Sequence, residues 1–168
     1  MALYRALLFP RIFHEKVGRK IKHYSPFDGK VHGGPMYTDN GFWDTFRAVY
    51  PLFSITEEKR LKEILAGLLN VYDEGGWFPK WMSPGYRDCM IGTHVGAVFL
   101  DAGKKGIVDL SSEKLFRAVV QDATTASHFG GYGRKGLKAY DTLGWVPCEE
   151  VHEATARTLE FAYGDWCA

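Results

Sequence analysis

The chain has 168 residues and carries 21 Lys and Arg against 20 Asp and Glu, a formal charge of +1. That length fits one domain able to bury a core without disulfide or metal staples, and an apolar content of 46% with 24% charged residues excludes a disordered chain. The balanced charge leaves no field to gather nucleic acid or an anionic membrane, and no run of about 18 apolar residues is present to span a bilayer.

Helical periodicity dominates the chain. The apolar start predicts a short helix near residues 3–9; no small-residue cleavage site follows it, so it is not read as a signal peptide. A helix is predicted over 40–50, closed by Pro51. The next starts at Ser54-Ile55-Thr56-Glu57, which has the form of a capping box. Leu61, Ile64, Leu65, Leu68, Leu69 and Tyr72 form its apolar face, and Gly75-Gly76 ends it. Further helices are predicted over 91–105, with Val95, Val98, Phe99 and Ala102 on one face, and over 112–127, with Phe116, Val119, Val120 and Ala123 facing inward. The last is a stripe of Val151, Ala154, Thr155, Thr158, Leu159, Ala162, Tyr163 and Trp166. No sustained period-two alternation occurs, so strands should be few. The expectation is an all-α fold of antiparallel helical hairpins joined by loops rich in Gly, Pro and aromatics. The final stripe is still amphipathic at Trp166 and meets no capping residue, so the chain is expected to be a piece of something longer.

Several motifs fail on inspection. Cys89, Cys148 and Cys167 are widely spaced and form no Cys-x-x-Cys, so buried free thiols are expected. Gly131-Tyr132-Gly133-Arg134-Lys135-Gly136 fits G-x-G-x-x-G but lacks the strand–turn–helix context of a dinucleotide site; it reads as a loop needing positive φ. His152-Glu153-Ala154-Thr155-Ala156 lacks the second imidazole of a zinc protease. No hydrolase elbow, Walker motif or EF-hand loop occurs.

Two loop clusters carry potential chemistry. Tyr37-Thr38-Asp39-Asn40-Gly41-Phe42-Trp43-Asp44-Thr45-Phe46-Arg47 packs four aromatics, two carboxylates and an Arg at a helix start that Asp39 or Asn40 would cap. The second runs through Gly75-Gly76-Trp77-Phe78-Pro79-Lys80-Trp81 and on through Pro84-Gly85-Tyr86-Arg87-Asp88 to His94. Here Trp77, Trp81 and Tyr86 supply flat faces, while Arg87 and Asp88 supply polar contacts. Sugars are recognised by such sets: C–H faces lie on aromatic rings, and hydroxyls bond to carboxylate and guanidinium groups. Core packing and helix capping account for the same residues, and both readings stand at this point.

The runs Tyr37 to Thr45, Gly76 to Trp81, Ser83 to His94 and Thr158-Leu159-Glu160-Phe161-Ala162-Tyr163 resemble glycoside hydrolase family 92, as does Gly133-Arg134-Lys135-Gly136-Leu137. The resemblance covers nearly the whole chain in order. It implies a calcium-dependent, exo-acting, inverting α-mannosidase whose β-sandwich precedes an (α/α)6 toroid, with residues 1–168 forming part of that toroid. The β-sandwich and the rest of the toroid have no counterpart here. The family's general acid and base, and most of its calcium ligands, lie in that missing part, so no catalytic role falls to Asp39, Asp44, Asp88, Glu149, Glu150 or Glu153. By resemblance, Asp44 and Arg87 contact mannose hydroxyls and Trp43 forms a wall; Trp81, Asp88 and His94 belong to the same substrate-binding region, either as contacts or only by shaping the loop. Gly164 departs from the family, which more often has Asp there. The implied partner is an α-mannoside glycan, with no nucleic acid and no membrane, and an exported or periplasmic location by analogy. A non-catalytic carbohydrate-binding or helical interaction module, or an inert truncation product, is the alternative.

Overall fold

The computed structural model describes residues 2–168. In chain order, helix α1 (Ala2–Ala6) leads into short strands β1 (Arg11–Ile12), β2 (Glu15–Val17), β3 (Lys20–Tyr24), β4 (Val31–Gly33), β5 (Tyr37–Thr38) and β6 (Asn40–Gly41). Helices α2 (Phe42–Thr45), α3 (Val49–Thr56) and α4 (Glu58–Gly75) follow, then β7 (Trp81–Met82) and helices α5 (Val95–Lys104), α6 (Glu113–Thr124), α7 (Leu137–Leu143) and α8 (Ala154–Cys167). The strands form three antiparallel sheets, β1–β5, β2–β3–β4 and β6–β7.

The expectation of an all-α fold is overturned. About 47% of the chain is helical and 13% lies in strands, so the fold is mixed α/β. The physical reason is that most strands are two or three residues long, too short to show alternation. The longest, β3, has only His23 buried, so neither face of the β2–β3–β4 sheet prints an apolar stripe on the sequence.

The main core lies where α3, α4, α5 and α6 meet. Phe53, Leu61, Ile64, Leu65, Leu68, Val95, Val98, Phe99 and Ala102 are buried there, each large side chain contributing roughly 1.5–3 kcal/mol. Helix α4 presents Leu61, Ile64, Leu65, Leu68 and Val71 to it, at the spacing expected. It ends at Gly76, whose left-handed φ of 80° lets its N–H reach back to the Tyr72 carbonyl. A smaller cluster joins Met36, Val71 and Met82, and a third joins Val146, Ala154 and Phe161.

Several helix boundaries differ from expectation. The segment predicted over 40–50 divides into α2 and α3, and Pro51 lies in the first turn of α3, where its missing N–H costs nothing. The presumed capping box belongs to the end of α3, with Ser54 Oγ donating to the Pro51 carbonyl and Thr56 Oγ1 to that of Leu52. Helix α5 starts at Val95, because Met90 and Gly92, with φ of 62° and 80°, turn the chain before it. Ser112, where the predicted helix begins, caps α6, its side chain accepting from the Leu115 N–H. The inward face of α6 is Leu115, Ala118 and Asp122, and Phe116 is exposed. On α8 the buried residues are Ala154, Arg157 and Phe161, and much of the apolar stripe, including Leu159 and Trp166, faces outward. The three thiols are free, but Cys89 and Cys148 are exposed and Cys167 half-buried. No helix among the described residues is long and apolar enough to cross a membrane.

Candidate functional site

The first loop cluster is organised by the β6–β7 pair, in which Asn40 faces Met82 and Gly41 faces Trp81. Asp39 precedes it in a left-handed conformation, φ 58°. Ser83 Oγ donates to its Oδ1 at 2.8 Å, and Arg11 lies 3.3 Å from its Oδ2. Asn40 is buried, and its Nδ2 donates to the Tyr50 hydroxyl at 2.8 Å. Neither residue caps α2, whose N-cap is Gly41 with no side-chain bond. The expected cap is therefore absent, because both side chains are committed elsewhere.

Trp43 and Arg47 from the turn that follows, and His94 from just ahead of α5, converge on one carboxylate on α8. Trp43 Nε1 donates to Glu160 Oε1 at 2.9 Å, and Arg47 donates to the same oxygen at 3.4 Å. The Arg47 guanidinium also lies 4.9 Å above the Trp43 ring and 4.5 Å above that of Phe46. His94 Nε2 faces Glu160 Oε2 at 3.4 Å. The His94 ring is buried and stacked on Phe46, with centroids 4.1 Å apart and planes 3° apart. Burial pushes the His94 imidazole down to about 4, and the pull of Glu160 offsets only part of that. The imidazole is therefore neutral at pH 7, and its contact with Glu160 is not an ion pair there. Asp44 is exposed, with no hydrogen-bond or ion-pair partner among the described residues.

The second cluster is a clamp between loops. Trp81 lies on β7 with its ring over Gly41. The Arg87 N–H donates to the Trp81 carbonyl at 2.9 Å, and its Nε to the Ser83 carbonyl at 2.6 Å. Asp88 pairs with Lys135 at 2.7 Å and lies against Gly130, where any side chain would collide with the carboxylate. Lys80 is buried; its Nζ donates to the Gly130 carbonyl and its backbone N–H to that of Gly131. Burial, with the like charge of Arg157 nearby, pushes the Lys80 ammonium down to about 8. Burial holds the Asp122 carboxyl well above its usual range against the pull of Lys80 and Arg134. The glycine loop does adopt left-handed φ, 58° at Gly133 and 80° at Gly136.

Two of the three aromatics proposed as flat faces, Trp77 and Tyr86, pack on Tyr132. Trp77 stacks on Tyr132 at 4.8 Å, and Tyr86 meets Tyr132 at 5.0 Å and Phe27 at 4.6 Å. The Tyr86 hydroxyl donates to the Trp77 carbonyl at 2.8 Å. Beside them is an open cleft of about 530 Å³ lined by Phe27, Glu74, Tyr86, Arg87 and Phe129.

The six candidate residues therefore fall into two groups. Trp43 and His94 meet at Glu160, with Asp44 next to Trp43 in α2. Trp81 and Arg87 fix the shape of the 81–87 segment, and Asp88 ties it to Lys135 in loop 126–136. The groups are joined by the Gly41–Trp81 pairing. Sequence reasoning missed Glu160 as a hub, although it lay within a quoted motif; nothing in the local pattern linked it to residues 113 and 117 positions away. It also missed buried Lys80. No group of three or more His, Cys, Asp or Glu suited to a metal ion occurs among the described residues.

The profile of the glycosyl hydrolase family 92 catalytic domain matches residues 1–168. A family GH92 inverting mannosidase from Bacteroides thetaiotaomicron is 48% identical, with a TM-score of 0.94 over 98% of this chain and 23% of that one. A family GH92 α-mannosidase from the same organism, solved in complex with mannoimidazole, is 27% identical, with a TM-score of 0.80 over 98% of this chain and 21% of that one. Its structure without the ligand gives a TM-score of 0.79. The chain thus spans less than a quarter of these solved relatives. No curated protein sequence matches it. A match over the full sequence, together with near-complete superposition on mannosidases of this family, places the chain in glycosyl hydrolase family 92.

Proposed function

We propose that residues 1–168 form part of the helical-ring catalytic domain of an exo-acting α-mannosidase, and that they supply part of its mannose-binding wall. The observation that carries this is the 0.94 TM-score at 48% identity to an inverting mannosidase of the same family. The outward apolar stripe of α8, with Leu159 and Trp166 exposed, suits a helix packed against further helices of such a ring.

The roles follow from which groups are free. Asp44 is exposed and unpartnered among the described residues, so its carboxylate can accept bonds from sugar hydroxyls. Arg87 is anchored through Nε, leaving its terminal nitrogens to donate to a hydroxyl. Trp43 offers a ring face whose N–H is already bonded. Trp81, Asp88 and His94 act by shaping these loops, since their contacts are within the protein. Inversion needs a carboxylic acid on the leaving oxygen and a carboxylate activating water, roughly 6.5–9.5 Å apart. We assign that pair to chain outside residues 1–168, along with most calcium ligands. Calcium, when bound, would supply electrostatic stabilisation and sugar positioning. An exported or periplasmic setting fits the family analogy.

The test compares this chain with the longer enzyme on an aryl α-mannoside, following product configuration by proton NMR. The expected outcome is inverted mannose from the longer protein and none from this chain. Turnover by residues 1–168 alone would overturn the placement of the acid and base. Failure of the longer protein to release mannose would overturn the substrate.

A further inference from the structure

We propose that Glu160 is a positioning residue, whose single carboxylate fixes the Trp43 indole and the Arg47 guanidinium as a rigid wall of the sugar site. The inference rests on the reading of Trp43 as a wall. Helix α2 is only four residues long and has no side-chain cap, and one turn of helix has little stability of its own. Trp43 is half-buried, so packing alone leaves its ring weakly fixed. The indole N–H is tied instead to α8, a helix of 14 residues seated through the fully buried Phe161 next to Glu160.

The three groups lock one another. Glu160 Oε1 accepts from both Trp43 Nε1 and Arg47, while Arg47 covers the Trp43 ring at 4.9 Å. The ring therefore has a cation on its face and an acceptor at its edge. The Glu160 side chain is only 18% exposed, so water competes poorly for these bonds. On the other oxygen stands His94, held by its stack on Phe46.

The experiment uses Glu160→Ala and Glu160→Gln, each in this chain and in the longer enzyme. In this chain, the Trp43 indole N–H is followed by nitrogen–proton NMR. Alanine should shift that resonance and expose its proton to exchange. Glutamine keeps an acceptor and should leave it close to native. In the longer enzyme, alanine should raise KM for an aryl α-mannoside about tenfold with kcat within about twofold, the pattern of lost uniform binding, and glutamine should restore KM to within about threefold. An unchanged indole resonance in Glu160→Ala, or a glutamine variant as impaired as alanine, overturns the proposal. If Glu160→Ala does not fold, Trp43→Phe keeps a smaller aromatic face but removes the N–H and should raise KM at least comparably; native KM in that variant overturns the proposal. If the wild-type enzyme turns over no α-mannoside, the mannosidase reading falls, and the indole resonance alone decides the role of Glu160.

Discussion

A β-carbon on Gly41 would lie 2.1 Å from Cε3 of Trp81, so the indole occupies the volume that any other residue at position 41 needs. The backbone there is extended, with φ −105°, so conformation does not require glycine; the neighbouring ring does. Gly41→Ala is expected to cost about 1–3 kcal/mol, the usual penalty of overpacking, read from denaturant or thermal unfolding. The same substitution in a Trp81→Leu background should cost clearly less. Equal costs in the two backgrounds would show that the indole is not the obstacle.

Asp44 offers the opposite case. It is exposed and touches no polar partner among the described residues. Asp44→Ala should therefore change stability by no more than about 0.5 kcal/mol. In the longer enzyme it should remove most α-mannosidase activity. A loss of several kcal/mol, or of the helical circular dichroism signal, would make Asp44 structural and take it out of the sugar site.

What the sequence reveals depends on which residues face the core. Helix α4 was legible because Leu61, Ile64, Leu65 and Leu68 are both apolar and buried. Helices α6 and α8 were placed along the chain but their inward faces were read only in part: Val119 packs on the main core and Ala154 is buried as expected. Each buries a charged residue, Asp122 and Arg157, that apolar periodicity rejects, while Phe116 and Leu159 sit outside. The strands escaped notice because β6 and β7 are two residues each and are defined by partners some 40 positions apart. In the candidate site, the residue types were readable but the hub at Glu160 was not, since only folding brings α8 to α2.

His94 gives a pH dependence with a fixed sign. Burial holds its imidazole near 4, whereas the unfolded chain has it near 6.5. The unfolded state therefore binds the proton first. The contribution is complete above pH 6.5 and is lost as pH falls toward 4, amounting to at most about 3 kcal/mol. Carboxylates add to acid sensitivity in the same direction, so the informative quantity is a difference. His94→Phe keeps a flat ring against Phe46 and removes the titration. Its unfolding free energy should fall less steeply than the wild type between pH 6.5 and 4; parallel curves would mean that His94 titrates freely in the folded chain.

The β2–β3–β4 sheet meets α4 through a buried contact between His23 and Glu74. His23 and Glu74 side chains are 0% and 7% exposed and lie 2.8 Å apart. His23 Nδ1 is 2.9 Å from the Gly34 carbonyl, which only accepts, so Nδ1 donates to it, and the Nε2–Glu74 bond forms only with a second proton shared between Nε2 and the carboxyl. The other Glu74 oxygen is buried without a partner among the described residues, so His23 makes the one side-chain bond to Glu74 among them. Removing His23 strands a buried acid, for which about 3–5 kcal/mol is the usual cost. Glu74→Gln keeps a bonding group opposite Nε2 and should cost much less. Because the penalty lies in the stranded carboxylate, His23→Phe combined with Glu74→Leu should recover much of the loss caused by His23→Phe alone. A double-mutant cycle on unfolding free energies reads this directly. Additive costs, with no recovery in the pair, would show that the sheet is anchored to α4 by something other than this contact.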